Sequence, residues 1–436
     1  MIGKASPARL RDLIFLNCLL FYVLSGMMLA PFHGDEATTI YQSKDWYRIT
    51  NLATLSTVFY RPKIDDPRLS DEQEFRLQNG VISKYAIGLF ASLLGQPIEA
   101  MNDPWFWGAD YNDNLSHGHL PNGVVLLAAR FSSTVMLMLS TALVFKIGWM
   151  LRGRWAAWTA SFVYATLPSV LLNGRRAMFE GATLLGVALV IFAALVLAQL
   201  CRKYAADRLW RNWILFGLAC GFGIASKHTL LIIVAPAFLA LLVTNWRSVR
   251  HWLNLAIAAL TALALFLLLN PAWWTAPLLV PGVVLHLREG VLQAQVAIYG
   301  GYQNTQDRLV ALARYPLGSA QYFEDKQNWV AWIGDQISNY ERSYLGGIDW
   351  NGWPVYLLSI VGTASLLQKR ALKDIIFAFI AIFAILALLL ATPLPWQRYY
   401  LPLAAFWAII AGIGVDMIRR LGQNACSLLL VTQFPN

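Results

Sequence analysis

The chain has 436 residues, of which 58% are hydrophobic and 13% are charged, and its formal net charge is +10. Soluble domains are roughly 45–50% apolar and about 25% charged. The composition therefore excludes a water-soluble globule, a disordered chain and a disulfide-rich secreted scaffold, and it leaves a polytopic membrane protein.

Apolar runs along the chain predict the membrane spans, because a helix needs about 20 mostly apolar residues to cross a bilayer. The runs indicate an all-α membrane protein with about ten transmembrane helices, roughly nine to twelve when the short runs are counted differently. They cover residues 13–30, 123–145, 155–172, 181–200, 212–226, 228–244, 252–270, 353–367, 375–391 and 399–418. The first run resembles a signal peptide, but no A-x-A site follows it, so we expect an uncleaved span.

Basic residues in the short loops predict the orientation. With the N-terminus inside, the inner segments hold most of the loop lysines and arginines but only four acids, which are Asp12, Asp207, Asp374 and Asp416. The inner basic residues are Lys4, Arg9, Arg11, Lys146, Arg152, Arg154, Arg202, Lys203, Arg208, Arg211, Arg247, Arg250, Lys369, Arg370, Lys373, Arg419 and Arg420. The positive charge is thus explained by topology, and no nucleic-acid-binding motif is visible.

Two long segments lie on the predicted outer side, at 31–122 and 271–352. Long loops usually carry function. Within the first, residues 81–94 have apolar side chains at helical spacing but are too short to span, so we expect a helix lying in the membrane interface. The resulting organisation is one transmembrane domain over 1–420 with a cytoplasmic tail at 421–436.

Two acidic sites follow spans on the outer side. His33-Gly34-Asp35-Glu36 comes directly after the first span, where partial desolvation would raise the pKa of a carboxylate and make it a better base. Glu180 begins the fourth span and follows Arg175 and Arg176, whose place in a short outer loop would be explained by an anionic partner such as a phosphate. Helix capping is the alternative explanation for the acids.

Further cations lie near the same predicted surface. Lys227 is in a tight turn between two apolar runs, Arg398-Tyr399 begins the last span, and Lys84 begins the interfacial helix. Each could instead extend toward lipid headgroups, but together the acids and cations suit an anionic, lipid-linked substrate. The only histidine cluster worth naming is His117 and His119 with Asp110 and Asp113, and the sequence leaves open whether it binds anything.

These residues, in this order, resemble the GT-C glycosyltransferases that use polyprenyl-phosphate sugars, and in particular the protein O-mannosyltransferase and lipid A aminoarabinose transferase group. The matching elements run over about 30–420. They are Gly34-Asp35-Glu36-Ala37, Lys84 with Leu94-Gly95, Arg130, Arg176 to Glu180, Gly217 to Lys227, and Arg398-Tyr399 to Pro402.

The resemblance implies an inverting, metal-independent transfer of a sugar from a polyprenyl-phosphate donor to a lipid, glycan or protein acceptor hydroxyl, with no cofactor. It makes Asp35 the catalytic base, with Glu36 and Glu180 as supporting acids. Lys84, Arg175, Arg176, Lys227 and Arg398 become candidates to bind the donor phosphate, and His33 and Tyr399 candidates to bind acceptor or sugar. It further implies an active site on the extracytoplasmic face of a bacterial inner membrane.

Three alternatives stay open at this point. A transporter or flippase would have charges at mid-membrane and internal repeats, whereas Arg130 is the one clear charge within a predicted span. A non-catalytic family member and a metal-dependent oligosaccharyltransferase-like enzyme are the others. The sequence does not identify the sugar, the acceptor, the polyprenol length or the oligomeric state.

Overall fold

The computed structural model describes residues 7–203, 209–324 and 329–433, with side chains as far as residue 425. These ranges contain helices and turns and no strand. Lys4, Asp207 and Arg208, used above to predict orientation, lie outside them, as do the side chains of most of the predicted tail. The helices are α1 Pro7–Ser25, α2 Gly34–Gln42, α3 Lys44–Ile49, α4 Pro67–Gln78, α5 Ile82–Leu93, α6 Tyr111–Ser116, α7 Gly123–Arg152, α8 Arg154–Thr166, α9 Pro168–Arg175, α10 Glu180–Cys201, α11 Trp210–Ser226, α12 Leu231–Leu242, α13 Val249–Leu269, α14 Val280–Tyr299, α15 Thr305–Leu317, α16 Trp329–Arg342, α17 Trp353–Lys369, α18 Leu372–Ala391, α19 Gln397–Tyr400 and α20 Ala404–Gln433.

Every predicted span overlaps one or two helices, but not all of these helices are long and apolar enough to cross a membrane. In the described residues five pass that test: α7, α10, α13, α18 and the segment Gln397–Ala425. The bent pair of α8 and α9 would make six. The count of about ten is therefore not confirmed, since α11 and α17 have only 17 residues each and rise about 26 Å. The protein is a multi-pass membrane protein.

The third predicted span, 155–172, is broken. Leu167 has extended backbone angles and Pro168 starts α9, so the chain bends by 61°. Proline has no amide hydrogen to donate and disfavours helical angles in the residue before it. The bend carries the end of α9 into the turn that contains Arg176 and precedes Glu180.

The bundle is centred on α10, which contacts α7, α11, α12 and α18. Another packing group joins α8, α17 and α20. Other helices expose apolar faces: Leu260 and Leu268 of α13 and Leu390 of α18 are each more than 60% exposed. Such faces are what a bilayer covers.

A layer of short helices covers one end of the bundle. Both α2 and α5 pack against α7, joined by an apolar cluster that includes Ile40, Ile87 and Val125. The expected helix at 81–94 is therefore present as α5, with Lys84 and Ile87 turned into the protein and Leu93 70% exposed. The helix α11 meets α5 of this layer, and the site lies there.

Candidate active site

The N-terminus of α2 sets the position of both acids in the first motif. His33 is the N-cap residue, and its Nδ1 accepts the Asp35 amide at 3.1 Å. The Glu36 carboxylate accepts the His33 amide at 3.1 Å, which completes a capping box. Glu36 therefore caps the helix, as the alternative explanation held. The side chain of Asp35 takes no part in the capping box.

Glu36 is fully buried and joins three parts of the site. Arg130 of α7 donates two hydrogen bonds of 2.8 Å to its carboxylate, and the Ala177 amide donates a third at 2.9 Å. The carboxylate is thereby held against α7 and against the turn before Glu180. Arg130 is the one charge predicted inside a span, and its ion pair with Glu36 explains why a charge is found there.

Asp35 belongs to a chain of charged groups that ends on α19. Arg398 donates to Asp35 Oδ2, and its Nε lies 3.7 Å from Glu324 Oε1. Glu324 Oε2 lies 3.1 Å from His33 Nε2. Because His33 Nδ1 accepts an amide hydrogen, the proton of the neutral ring is on Nε2 and is donated to Glu324. Arg398 also lies over the Trp396 ring, 4.8 Å from its centre.

These contacts set the ionisation of the two carboxylates. Burial acts to raise the pKa of Asp35, but Arg398 and then His33 outweigh it, and the pKa is lowered. The sequence-based expectation of a raised pKa is therefore wrong in the net direction, because it counted desolvation without the guanidinium. The same balance between burial and Arg398 lowers the pKa of Glu324 to about 2. Both are ionised at neutral pH.

Glu180 and Lys227 form a second ion pair. Glu180 is the first residue of α10, and its Oε1 accepts Lys227 Nζ at 2.9 Å. Lys227 has extended backbone angles just after α11, where the chain turns into α12. Glu180 Oε2 is buried and has no hydrogen-bond partner among the described residues.

Two adjacent cavities meet at this charged region. One, of about 190 Å³, has mostly polar walls that include Asp35 and Glu180. The other, of about 210 Å³, is lined largely by aliphatic side chains of α12, α14 and α18. Both are lined by Lys227, Arg288, Arg398 and Tyr399. Tyr399 donates to Gln295 at 3.3 Å.

Arg288 of α14 differs from Lys227 and Arg398, the other two cations that line both cavities where they meet. Within the described ranges it has no ion pair, whereas Lys227 and Arg398 are paired with Glu180, Asp35 and Glu324. Sequence reasoning missed it because α14 lies inside the long loop 271–352, where no motif marked it. Glu324 was missed for the same reason.

The other predicted phosphate-binding cations do not line either cavity. Lys84 is fully buried, 3.4 Å from Asp45 Oδ2, and burial lowers its pKa to about 8 against the opposing effect of Asp45. Arg175 donates to the carbonyls of Val23 and Tyr22, each at 2.8 Å.

Arg176 donates to the carbonyls of Pro31 at 2.9 Å and Tyr322 at 2.7 Å. Like Arg175, it ties loops together behind the cavity. His33 is also behind the wall, stacked on Trp329.

The histidine cluster of the first loop has local partners. Asp110 caps α6, His117 Nδ1 lies 2.8 Å from the Asp113 carbonyl, and His119 Nδ1 lies 2.6 Å from the Pro104 carbonyl. Among the described residues no group of three or more His, Cys, Asp or Glu side chains is arranged to hold a metal ion.

The fold is similar to the folds of two solved proteins. It is similar to ArnT from Cupriavidus metallidurans in the apo state, with a TM-score of 0.54 and 12% identity over 98% of this chain and 64% of that one. It is also similar to the oligosaccharyltransferase AglB from Archaeoglobus fulgidus in complex with an inhibitory peptide and a dolichol-phosphate, with a TM-score of 0.53 and 11% identity over 99% of this chain and 53% of that one. The chain thus spans about half to two thirds of the length of these proteins.

The family is identified by sequence. Residues 70–280 match the family model described as dolichyl-phosphate-mannose-protein mannosyltransferase, and this match confirms the predicted resemblance. No curated protein matches the chain.

Proposed function

We propose that the protein is a membrane glycosyltransferase that moves a sugar from a polyprenyl-phosphate donor to an acceptor hydroxyl, with inversion at the anomeric carbon. The observation that carries the proposal is the pairing of the two cavities. A polar cavity and an aliphatic cavity share three cations at their junction. A polyprenyl-phosphate sugar has the same three parts in the same order: sugar, phosphate and hydrocarbon chain.

The donor phosphate occupies the junction, where Lys227, Arg288 and Arg398 neutralise it. Fixed cations in a site sheltered from water stabilise the charge that grows on a departing phosphate. The prenyl chain follows the aliphatic cavity along Ile232, Leu292 and Leu388. AglB, which has a similar fold, is in complex with a dolichol-phosphate, and this supports the choice of donor. Lys84, Arg175 and Arg176 support the loops around this site in the proposal.

Asp35 is the base. The acceptor hydroxyl gives its proton to an Asp35 oxygen as its own oxygen bonds to the anomeric carbon, and the bond from that carbon to the phosphate oxygen breaks, with its electron pair leaving on the polyprenyl phosphate. A single displacement of this kind inverts the carbon. Tyr399 lies beside the phosphate and sugar.

Arrival of the phosphate also prepares the base. Arg398 lines both cavities and holds the pKa of Asp35 down. When the guanidinium turns toward the phosphate, the largest influence that holds the pKa of Asp35 down weakens, and the pKa rises. Asp35 becomes a stronger base only when a donor is bound, which limits the loss of sugar to water.

Glu36 acts through structure, since its carboxylate already accepts from Arg130, Ala177 and His33. Glu180 orients Lys227 and offers its unpartnered Oε2 to the substrate. The reaction needs no metal and no cofactor in this scheme.

The membrane arrangement is part of the proposal. The proposed topology has ten crossings, with the bent pair of α8 and α9 counted as one. The other nine are α1, α7, α10, α11, α12, α13, α17, α18 and α20. The shorter helices cross where the bilayer is locally thinned. The N-terminus and the segment after 420 are then cytoplasmic. The short helices of 31–122 and the loop 271–352 face the periplasm with the active site.

A panel of radiolabelled polyprenyl-phosphate hexoses and pentoses tests the function, with the protein in lipid nanodiscs and membrane extract as acceptor. One arm contains a chelator and a second contains Mn²⁺. We expect one donor to release its sugar equally in both arms. Release only with Mn²⁺ would assign an oligosaccharyltransferase-like reaction, and no release from any donor would contradict the proposal and turn attention to lipid flipping.

A further inference from the structure

Three buried polar atoms on the wall of the polar cavity have no hydrogen-bond partner among the residues that the structure describes. They are Thr38 Oγ1, Gln42 Nε2 and Glu180 Oε2. The residues are 9%, 6% and 2% exposed. A buried polar atom without a partner destabilises the folded protein, so three on one wall indicate a polar ligand. Unpartnered atoms occur elsewhere in the described residues, but these share one cavity.

The position of Thr38 and Gln42 follows from the helical repeat of α2. They lie three and seven residues after Asp35, so all three side chains are on one face. Neighbouring Thr39 donates to the Asp35 carbonyl at 2.7 Å, as threonines in helices commonly do. Thr38 does not, although it has the same backbone conformation.

The amide of Gln42 is oriented by its neighbour. Its Oε1 accepts Asn79 Nδ2 of α4 at 3.4 Å, which leaves the NH₂ end unpartnered. The cavity thus offers a hydroxyl that donates or accepts, an amide that donates, and a carboxylate that accepts. The three cations that suit a phosphate are grouped where the two cavities meet, whereas Thr38 and Gln42 carry no charge and an amide nitrogen cannot ligate a cation. The mixture suits a neutral polyol, whose hydroxyls both donate and accept.

We propose that Thr38 and Gln42, with Glu180 opposite, bind the hydroxyls of the donor sugar and thereby determine which sugar is transferred. The inference rests on the proposed function. The donor sugar is chosen over the acceptor because Glu180 is bonded to Lys227, which lines the junction where the phosphate lies, and the sugar is attached directly to that phosphate.

The test compares two lipids on two variants. Thr38→Val and Gln42→Met keep side-chain size and remove the polar atoms. Equilibrium binding is measured in nanodiscs with polyprenyl phosphate, which has no sugar, and with the sugar-loaded donor that the wild type turns over. We expect polyprenyl phosphate to bind all proteins within twofold, and the sugar-loaded donor to bind each variant about fivefold more weakly, the loss of one neutral hydrogen bond.

Two controls keep the result interpretable. Thr50→Val removes a hydroxyl that is bonded to the Trp46 carbonyl outside the cavity, and it should bind both lipids as the wild type does. Thr38→Ser keeps the hydroxyl, so it should restore the affinity that Thr38→Val loses, even if the valine variant is less stable. A third comparison uses donors whose sugars each lack one hydroxyl. One of these sugars lacks the hydroxyl that Thr38 binds, and the affinity for this donor should be the same in Thr38→Val as in the wild type.

The proposal is overturned if both variants bind the sugar-loaded donor as the wild type does. It is also overturned if only the KM of the acceptor changes, which would assign the subsite to the acceptor. Failure of the proposed function looks different, since the wild type itself would then neither bind nor turn over any sugar-loaded lipid.

Discussion

At the scale of single residues, the site is a set of buried charges whose ionisation depends on partners. Asp35 illustrates this: position alone favoured a raised pKa, and only the structure shows that Arg398, 363 residues further along the chain, reverses the direction. Sequence reasoning could find the two residues, because each follows or precedes an apolar run on the same predicted side. It could not find their contact.

Arg288 and Glu324 show what the sequence lacked. Both lie in long loops, where no helical repeat or motif separates an active-site charge from a solvated one. The position of Thr38 and Gln42 beside Asp35 could have been predicted from the sequence, since all three share one face of α2. Their lack of partners is a property of the packed structure.

The buried pair of Glu36 and Arg130 gives a prediction on stability. Glu36→Gln leaves the Arg130 guanidinium buried without a countercharge, and removal of one partner of a buried pair costs about 3–5 kcal/mol. We expect a large fall in thermal stability together with loss of turnover. Glu289→Gln, on the exposed face of α14, is the matched control and should unfold as the wild type does. Unchanged stability of Glu36→Gln would show that the pair does not hold the site together.

Asp45 gives a prediction on pH. Burial acts to raise its pKa, but Arg76 and Lys84 outweigh burial and lower it to about 2 from 3.8. A lowered folded-state pKa contributes stability that is present above the unfolded pKa and is lost as the pH falls through the folded pKa. The contribution of about 2 kcal/mol should therefore fade between about pH 4 and pH 2.

The measurement is the difference in free energy of unfolding between wild type and Asp45→Asn from pH 6 down to pH 2. We expect this difference to be constant above pH 5 and to shrink below pH 4. A difference that does not change with pH over this range would mean that the carboxylate is not stabilised as its contacts imply.

At the scale of elements, the apolar runs predicted the positions of the helices well. They predicted less well which helices are long enough to cross the membrane. The run 155–172 contained Pro168, and the known effect of proline on the preceding residue could have predicted the break into α8 and α9. The helix α7 runs seven residues beyond its predicted end at 145, because amphipathic helices continue past the apolar core. Bends and ends depend on packing against neighbours, which a hydropathy pattern does not contain.

Contact between the loop before α5 and the end of α11 gives a prediction at this scale. The Val81 amide donates to the Ala225 carbonyl at 2.7 Å, and a Cβ on Gly80 would lie 2.0 Å from the Ser226 carbonyl oxygen. Gly80→Ala must therefore displace the chain next to Lys227. Because displacements of about 1 Å in an active site cost about a hundredfold in rate, we expect kcat/KM to fall by that order.

Gly123→Ala is the control for this variant, since nothing lies within 4 Å of the added methyl group. It should keep the wild-type rate. A Gly80→Ala enzyme with full activity would show that the site tolerates movement of Lys227, and the role given to Lys227 would then be wrong.

At the scale of the whole molecule, the charge distribution predicts sidedness. In the proposed topology the two long loops and the site face one side of the membrane, and Arg247 faces the other. In a background with the four cysteines replaced by serine, we expect an impermeant maleimide to label Asp65→Cys and Glu289→Cys in spheroplasts without lysis, and Arg247→Cys only after lysis. The reverse pattern would invert the proposed topology.

The arrangement of the whole molecule explains why the resemblance to a family could be recognised from the sequence. Weak motifs gained weight from their order along the chain and from their shared side, and the fold brings Asp35, Glu180, Lys227 and Arg398 around one cavity. The acceptor was not predictable, because no motif in the sequence points to one.

The central claim is that Asp35 deprotonates the acceptor during transfer from a lipid phosphate. The most direct test is single-turnover release of labelled sugar from the active donor, comparing wild type, Asp35→Asn and the control Glu289→Gln, with binding of polyprenyl phosphate measured in parallel. We predict that Asp35→Asn binds polyprenyl phosphate and loses transfer by at least about a thousandfold, within the range for a missing catalytic base. Transfer at the wild-type rate in Asp35→Asn would contradict the account and make Glu180 and Glu36 the next candidates.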